Sequence, residues 1–209
     1  MKVLLVNGSP HEKGCTYTAL TIVEKALNEN GIETEHFWIG NKQLTGCIAC
    51  GFCAKNKRCV LEDSVNEFLK KAKEVDGFVF SSPVHYASMS GSMTGFMDRV
   101  FMAGLREKEN LLQKVGAVVV SSRRAGATAT LDQLAKYLSF AEMPIVSSRY
   151  WNEVHGSKPE DVLKDEEGVQ IMRVLGKNMA WLLKCIEAGK KQGINSPEPE
   201  NKIFTNFIK

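Results

Sequence analysis

The chain has 209 residues, 44% of them apolar and 24% charged. That is the size and balance of one folded domain, and it excludes a disulfide-stapled mini-domain, a disordered chain and a low-complexity one. A net charge of +3, from 27 basic and 24 acidic side chains, is too small to point to nucleic acid or a membrane surface.

In chain order, Val3-Leu4-Leu5-Val6 is a short continuous apolar run, as expected of a strand covered on both faces. Met1–Asn7 is too short for a secretory signal. A glycine turn follows. A helix is predicted over Thr16–Asn30, with Leu20, Val23 and Leu27 on one face and Asn30-Gly31 as its stop. Thr34–Ile39 reads as the second strand and Val65–Lys73 as a helix. Gly77–Ser82 reads as the third strand, Gly91–Leu105 as a helix, Val115–Val120 as the fourth strand and Ala125–Ala141 as a helix. Pro144–Ser147 is expected to be the fifth strand. Asp165–Ala188 has apolar residues at three-to-four spacing and reads as the last helix, ended by Gly189. Five βα units imply a parallel sheet with helices on both faces. No run of about eighteen apolar residues occurs, so no membrane span is expected and the chain reads as cytoplasmic.

In such a sheet, ligands bind outside the carboxyl ends of the strands. Three loops meet there. Gly8-Ser9-Pro10-His11-Glu12-Lys13-Gly14-Cys15-Thr16-Tyr17-Thr18 is rich in hydroxyls and opens a helix, either a favourable place for phosphate or an ordinary βα turn capped by Thr16. Gly14 is followed by Cys15 rather than Lys-Ser/Thr, and G-x-G-x-x-G is absent, so neither a P-loop nor a dinucleotide fingerprint is present. A phosphate monoester is the expected ligand. Ser82–Gly91 offers backbone amides to the edge of a flat heterocycle, with Tyr86 placed to stack on it or simply to pack. Ser121–Thr128 carries Arg123 and Arg124, either a solvated pair or cations facing the ligand.

Six cysteines are the unusual count. Four of them, Cys47, Cys50, Cys53 and Cys59, form C-x2-C-x2-C-x5-C, which suits metal ligation better than a disulfide framework. Four thiolates in one cavity fit a [4Fe–4S] cluster or Zn²⁺, and a reduced redox-active loop is the third reading. The compact triplet favours iron–sulfur. Lys55, Lys57 and Arg58 within the loop either offset thiolate charge or face solvent. Cys185, on the last helix, is expected to be a buried structural thiol.

Taken together, Gly8-Ser9-Pro10…Gly14-x-Thr16, Ser82-Pro83-Val84-x-Tyr86-x-Ser88-x-Ser90-Gly91 continuing to Phe96-x-Asp98-Arg99, then Arg123-Arg124-Ala125-Gly126, Trp151-Asn152 and Val154-His155-Gly156 resemble the NADPH-dependent FMN reductases of the flavodoxin-like fold. The cysteine segment resembles that of the iron–sulfur flavoproteins within that family. His11 and Cys15 stand where members often have Arg and Asn.

The resemblance implies a flavodoxin-like three-layer sandwich over residues 1–193, with strand order 2-1-3-4-5, a cysteine-rich loop at 46–60 and a tail at 194–209. It implies FMN as cofactor, NAD(P)H or a reduced carrier as donor, a quinone, flavin, protein or other acceptor, and a homodimer or homotetramer. A non-catalytic electron carrier is the alternative. The residues it points to for FMN are Ser9, His11, Cys15, Thr16, Tyr17, Thr18, Pro83, Val84, His85, Tyr86, Ala87, Ser88, Ser122, Arg123 and Gly126. Those for a metal or cluster are Cys47, Cys50, Cys53 and Cys59. His85 is read as placing substrate or as structural, and His155, Trp151 and Asn152 as structural or as a subunit edge. Ile203, Phe204, Phe207 and Ile208 in the tail are read as packing on a neighbour or back on their own subunit.

Overall fold

The computed structural model describes residues 1–207. Strand β1 (Lys2–Asn7) leads to helix α1 (Cys15–Glu29), then β2 (Glu33–Trp38). Two helices follow, α2 (Phe52–Asn56) and α3 (Ser64–Ala72). Next come β3 (Gly77–His85), β4 (Ser88–Met89), α4 (Gly91–Gly104) and α5 (Lys108–Leu111). The chain continues with β5 (Val115–Ser122), α6 (Ala127–Phe140), β6 (Glu153–His155), α7 (Pro159–Val162) and α8 (Glu166–Lys191).

The main sheet has the order β2-β1-β3-β5-β6, all parallel. Counting parallel strands alone, this is the expected 2-1-3-4-5. The two-residue β4 adds an antiparallel hairpin at the end of β3. Successive residues of each strand enter opposite cores, the two-residue period of a pleated strand. Leu4, Val6, Phe78, Phe80, Val118 and Val120 join α3, α4 and α6 on one face. Val3, Leu5, Val79, Ala117 and Val119 join α1 and α8 on the other. Hence β1 and β5 read as continuous apolar runs although each side chain is buried on only one face. This three-layer sandwich is a flavodoxin-like fold.

Helix α1 stops as expected. Gly31 has φ +76°, its N–H reaches Asn28 O and the Ile32 N–H reaches Leu27 O, closing a Schellman motif. Two boundaries differ from the sequence expectation. Pro144–Ser147 makes only an isolated bridge, Ile145 to Gly116, and the fifth parallel strand is Glu153–His155 instead. Pro144 has no N–H to donate, and Ile145 is turned partly to solvent, so the segment touches only the start of β5. Gly189 does not end α8. The helix continues to Lys191 because the Schellman bonds, Ile194 N–H to Gly189 O and Gly193 N–H to Lys190 O, need positive φ at Gly193, which has φ +80°.

Beyond Gly193 the described tail has no regular secondary structure. It lies back on its own subunit: Gln113 donates to Pro197 O, Lys202 sits 3.7 Å from the Phe140 ring centre, and Phe204 helps to line a groove between α4 and α6. Ile203, Phe204 and Phe207 all remain largely exposed, and Ile208 lies outside the described residues. Among the described residues no helix is long and apolar enough to cross a membrane.

Candidate functional site

A cleft of 790 Å³ opens at the carboxyl ends of β1, β3, β5 and β6, where this fold class binds ligands. Its first wall is the β1–α1 loop. Gly8 makes the turn with its N–H on Ser81 O at 2.9 Å. A Cβ there would lie 2.6 Å from both Ser81 O and Met93 Sδ, so only glycine fits. Asn7 then ties the loop down, accepting from the Ser9 N–H at 3.0 Å and donating to Glu12 O at 2.8 Å. Ser9 Oγ accepts from the His11 N–H at 3.1 Å, and Trp38 Nε1 donates to Ser9 O at 2.8 Å.

This rigid loop delivers the chain to the start of α1. Gly14 caps the helix with no side-chain hydrogen bond, leaving first-turn amides for a ligand. Lys13, His11, Arg123 and Lys158 line the cleft, and Glu12 is the one acidic side chain on its walls. The helix end and the charges of Lys13, Arg123 and Lys158 act in the same sense and favour an anion. The Cys15 thiol donates to Gly156 O at 3.6 Å. Burial, the largest influence, pushes that thiol up from its ordinary range.

The second wall is the β3–β4 hairpin. Pro83, Val84 and His85 face the cleft. Tyr86 and Ala87 have φ +51° and +59°, the two left-handed positions of a two-residue hairpin turn. Tyr86 is fully exposed. Ser88 turns away, donating to Gln133 Oε1 at 2.8 Å. Ser90 binds the hairpin to the first wall by donating to Gly8 O at 2.8 Å.

The third wall is the β5–α6 loop. Ser121, Ser122 and Arg123 line the cleft. Ser121 and Thr16 share a 2.8 Å hydroxyl hydrogen bond in which either oxygen can donate. Ser122 Oγ is buried with no hydrogen-bond partner among the described residues. Such a group carries a desolvation cost that a ligand atom can relieve. Gly126, with φ +92°, caps α6 and packs on Ala87 and Val84 behind the cleft wall.

Nine of the expected contact residues thus line one cleft: Ser9, His11, Cys15, Thr16, Pro83, Val84, His85, Ser122 and Arg123. Tyr17, Thr18, Tyr86, Ala87, Ser88 and Gly126 are not on its walls. The Tyr17 ring lies tilted at 44° to His36 with centroids 4.9 Å apart, and Thr18 Oγ1 donates to Gly14 O in the first turn. Sequence reasoning missed Trp38, Asn41 and the stretch Gly156–Pro159. Trp38 has a readable signal, since a residue ending β2 must neighbour the end of β1. Lys158 does not, because its approach depends on where β6 runs. His155 is held by Asp165, whose Oδ2 accepts the His155 N–H at 2.7 Å.

The four cysteines of the triplet and its partner line a second, separate cavity of 160 Å³ with Arg99, Met102 and Arg106. Left-handed backbone at Ala49, Gly51 and Lys57 folds the short α2 between them. Cys47 and Cys50 are exposed, Cys53 and Cys59 half-buried, and all six cysteines are free thiols. Among the described residues no group of three or more His, Cys, Asp or Glu is arranged around a metal position. The donor set itself, four thiols on one small cavity with a cation at its wall, suits a thiolate-ligated cluster. Lys57 pairs with Glu107 at 3.8 Å, and Arg58 pairs with Glu62 and lies over the Phe52 ring. Cys185 is exposed on α8, contrary to its expected burial. It takes the solvent side of a helix whose apolar face is already filled by Met179, Ala180 and Leu183.

Residues 1–158 match the family model for NADPH-dependent FMN reductase. An iron-sulfur flavoprotein of Methanocaldococcus jannaschii is 34% identical over 90% of this chain and 100% of the relative. An iron-sulfur flavoprotein of Methanosarcina thermophila is 27% identical over 91% and 99%. Among solved structures, RosB with a bound riboflavin-5'-phosphate derivative covers 100% of this chain and 92% of its own, at a TM-score of 0.68 and 14% identity. An archaeal flavodoxin covers 88% and 99%, at 0.60 and 17%. These last two similarities concern the fold.

Proposed function

The chain belongs to the NADPH-dependent FMN reductase family, and on that premise we propose that this flavin-dependent oxidoreductase takes electrons from NAD(P)H and passes them to a quinone, flavin or protein acceptor. The carrying observation is the cleft, lined by an uncapped helix N-terminus, Lys13, His11, Arg123 and Lys158, with a buried Ser122 hydroxyl that has no partner among the described residues next to Arg123 on the β5–α6 wall. FMN, when bound, accepts hydride from a reduced nicotinamide and gives electrons up in pairs or singly.

The chain's own part is binding and electrostatics. The α1 amides and Lys13 hold the phosphate. Ser9 adds a hydroxyl donor, its oxygen already fixed by the His11 N–H. Pro83, Val84 and His85 bound the ring pocket on one side and Ser122 on the other. Arg123 supplies positive charge where a reduced ring gathers negative charge. The four thiols of the second cavity are proposed to hold an iron–sulfur cluster, as the names of the relatives and the donor set both support. A homodimer or homotetramer is proposed, with exposed Tyr86 beside the cleft among the surfaces available to a neighbour.

One preparation tests this reading. Protein purified without air is analysed for flavin, iron, sulfide and zinc, then assayed for NADH and NADPH oxidation with an artificial acceptor. One FMN per chain with turnover supports it. Zinc without flavin refutes it. FMN-loaded protein without turnover identifies an electron carrier instead.

A further inference from the structure

Arg99, on α4, is the largest fully buried side chain among the described residues, 2% exposed, and its guanidinium lies against the cysteine loop. A guanidinium has five N–H donors in a rigid fork. All five are used. Nη1 donates to Asp63 Oδ2 at 2.6 Å and to Thr45 O at 3.3 Å. Nη2 donates to Asp63 Oδ1 at 2.9 Å and to Leu61 O at 3.1 Å. Nε donates to Cys59 Sγ at 3.2 Å. Thr45 precedes Cys47 and Leu61 follows Cys59. One buried side chain therefore clamps both ends of the cysteine segment and points its remaining N–H at the fourth sulfur.

Asp63 is committed to the same clamp. Its carboxylate accepts both arms of the fork and caps α3 by accepting from the Val65 N–H at 3.1 Å. Asn66 completes the anchorage of Cys59, accepting from its N–H at 2.9 Å and donating to its carbonyl at 3.0 Å. Among the described residues the three other thiols have no comparable anchor: Cys47 and Cys50 are exposed, and Cys53 reaches Met102 O at 3.8 Å.

We propose that Arg99 is a positioning residue for the cysteine cavity, fixing Cys59 as the preset ligand and tuning, through its N–H···S bond, the potential of what the thiolates hold. This rests on the iron–sulfur reading above. Each one-electron reduction adds one negative charge to a thiolate-ligated group and makes or breaks no bond. A fixed N–H donor on a ligand sulfur stabilises the more negative state more, and so raises the potential. Lysine cannot replace it, having a point charge, three donors and no fork.

The test compares wild type with Arg99→Lys, and with Asp63→Asn, which retains an N-capping side chain on α3 while loosening the fork. Cluster and FMN midpoint potentials are followed by anaerobic dithionite titration, with amide hydrogen exchange over residues 45–61 in metal-free protein. The proposal expects a lower cluster potential in Arg99→Lys with the FMN potential unmoved. It also expects exchange in the loop to be about tenfold faster, the factor that corresponds to about 1.4 kcal/mol. Loss of the cluster from a variant that still binds FMN counts the same way. If Arg99→Lys does not fold, Asp63→Asn decides by exchange over residues 45–61, expected to be faster, because loss of the carboxylate charge by itself raises the potential. Unchanged potential and exchange overturn the proposal. If the wild type holds no iron, the cluster reading fails separately, and exchange in the metal-free loop alone decides the role of Arg99.

Discussion

Replacing Ser9 by Ala tests the phosphate site at one atom. Ser9 is buried, its Oγ accepts the His11 N–H at 3.1 Å, and its single hydroxyl proton remains available to an anion in the cleft. Removing the hydroxyl deletes a hydrogen bond to a charged group, worth about 1.5–3 kcal/mol, which is roughly 10- to 150-fold in affinity. The backbone barely changes, because Asn7 and Trp38 still hold Ser9 through its N–H and carbonyl. Apo-protein is titrated with FMN and, in parallel, with riboflavin, which has the same ring without the phosphate. The expected result is a weakened FMN complex with riboflavin affinity within about twofold of wild type. An FMN affinity equal to wild type, or equal losses for both ligands, would refute the placement of the phosphate. Thr16→Ala is a weaker perturbation of the same site, because the Thr16 hydroxyl is already engaged with Ser121.

Further outcomes are expected elsewhere. Gly8→Ala drives a Cβ to 2.6 Å from the Ser81 carbonyl oxygen, which sits on a central strand and cannot give way. It should destabilise by about 1–3 kcal/mol, seen as a melting temperature lowered by roughly 3–10 °C, together with weaker FMN binding. Trp38→Phe removes the donor to Ser9 O and should weaken FMN binding by about tenfold while the fold, read by circular dichroism, is kept. Lys114 donates to Ala72 O at 2.5 Å, and burial lowers its pKa from 10.5 to about 8. Between those values the unfolded chain binds more protons, so this group makes stability rise with pH. Allowing for solvent screening, the gain is about 1–2 kcal/mol. Urea denaturation at both ends of that window should show the rise in wild type and not in Lys114→Met.

The fold was legible because β1, β3 and β5 are central strands whose apolar runs cannot be anything else at that length. Their helices carry clear stops, such as Gly31. Edge elements were harder. Glu153–His155 is short and polar at both ends, and it pairs only because β5 extends beyond Val120. The cleft was legible as three loops, since topology alone brings the ends of parallel strands together. Its fourth side, Gly156–Pro159, depends on that misplaced strand. Tyr86 and Ser88 show the other limit. A two-residue hairpin reverses the chain after His85, so neighbours in sequence leave the cleft on opposite sides. For the cysteines, spacing identified the group, but the role of Arg99, forty residues away from Cys59, has no local signal.

The contact between Gly126 and Ala87 also constrains how this protein can change. A Cβ at 126 would come 2.7 Å from the Ala87 Cα, and residue 126 holds a positive φ that only glycine adopts freely. Two loops from different βα units are therefore locked together at their smallest residues. Drift at one position has to be answered at the other. Enlarging the cleft by remodelling either loop alone would therefore unseat both, and Gly156 ties a third segment to the same frame through its N–H on Ser122 O.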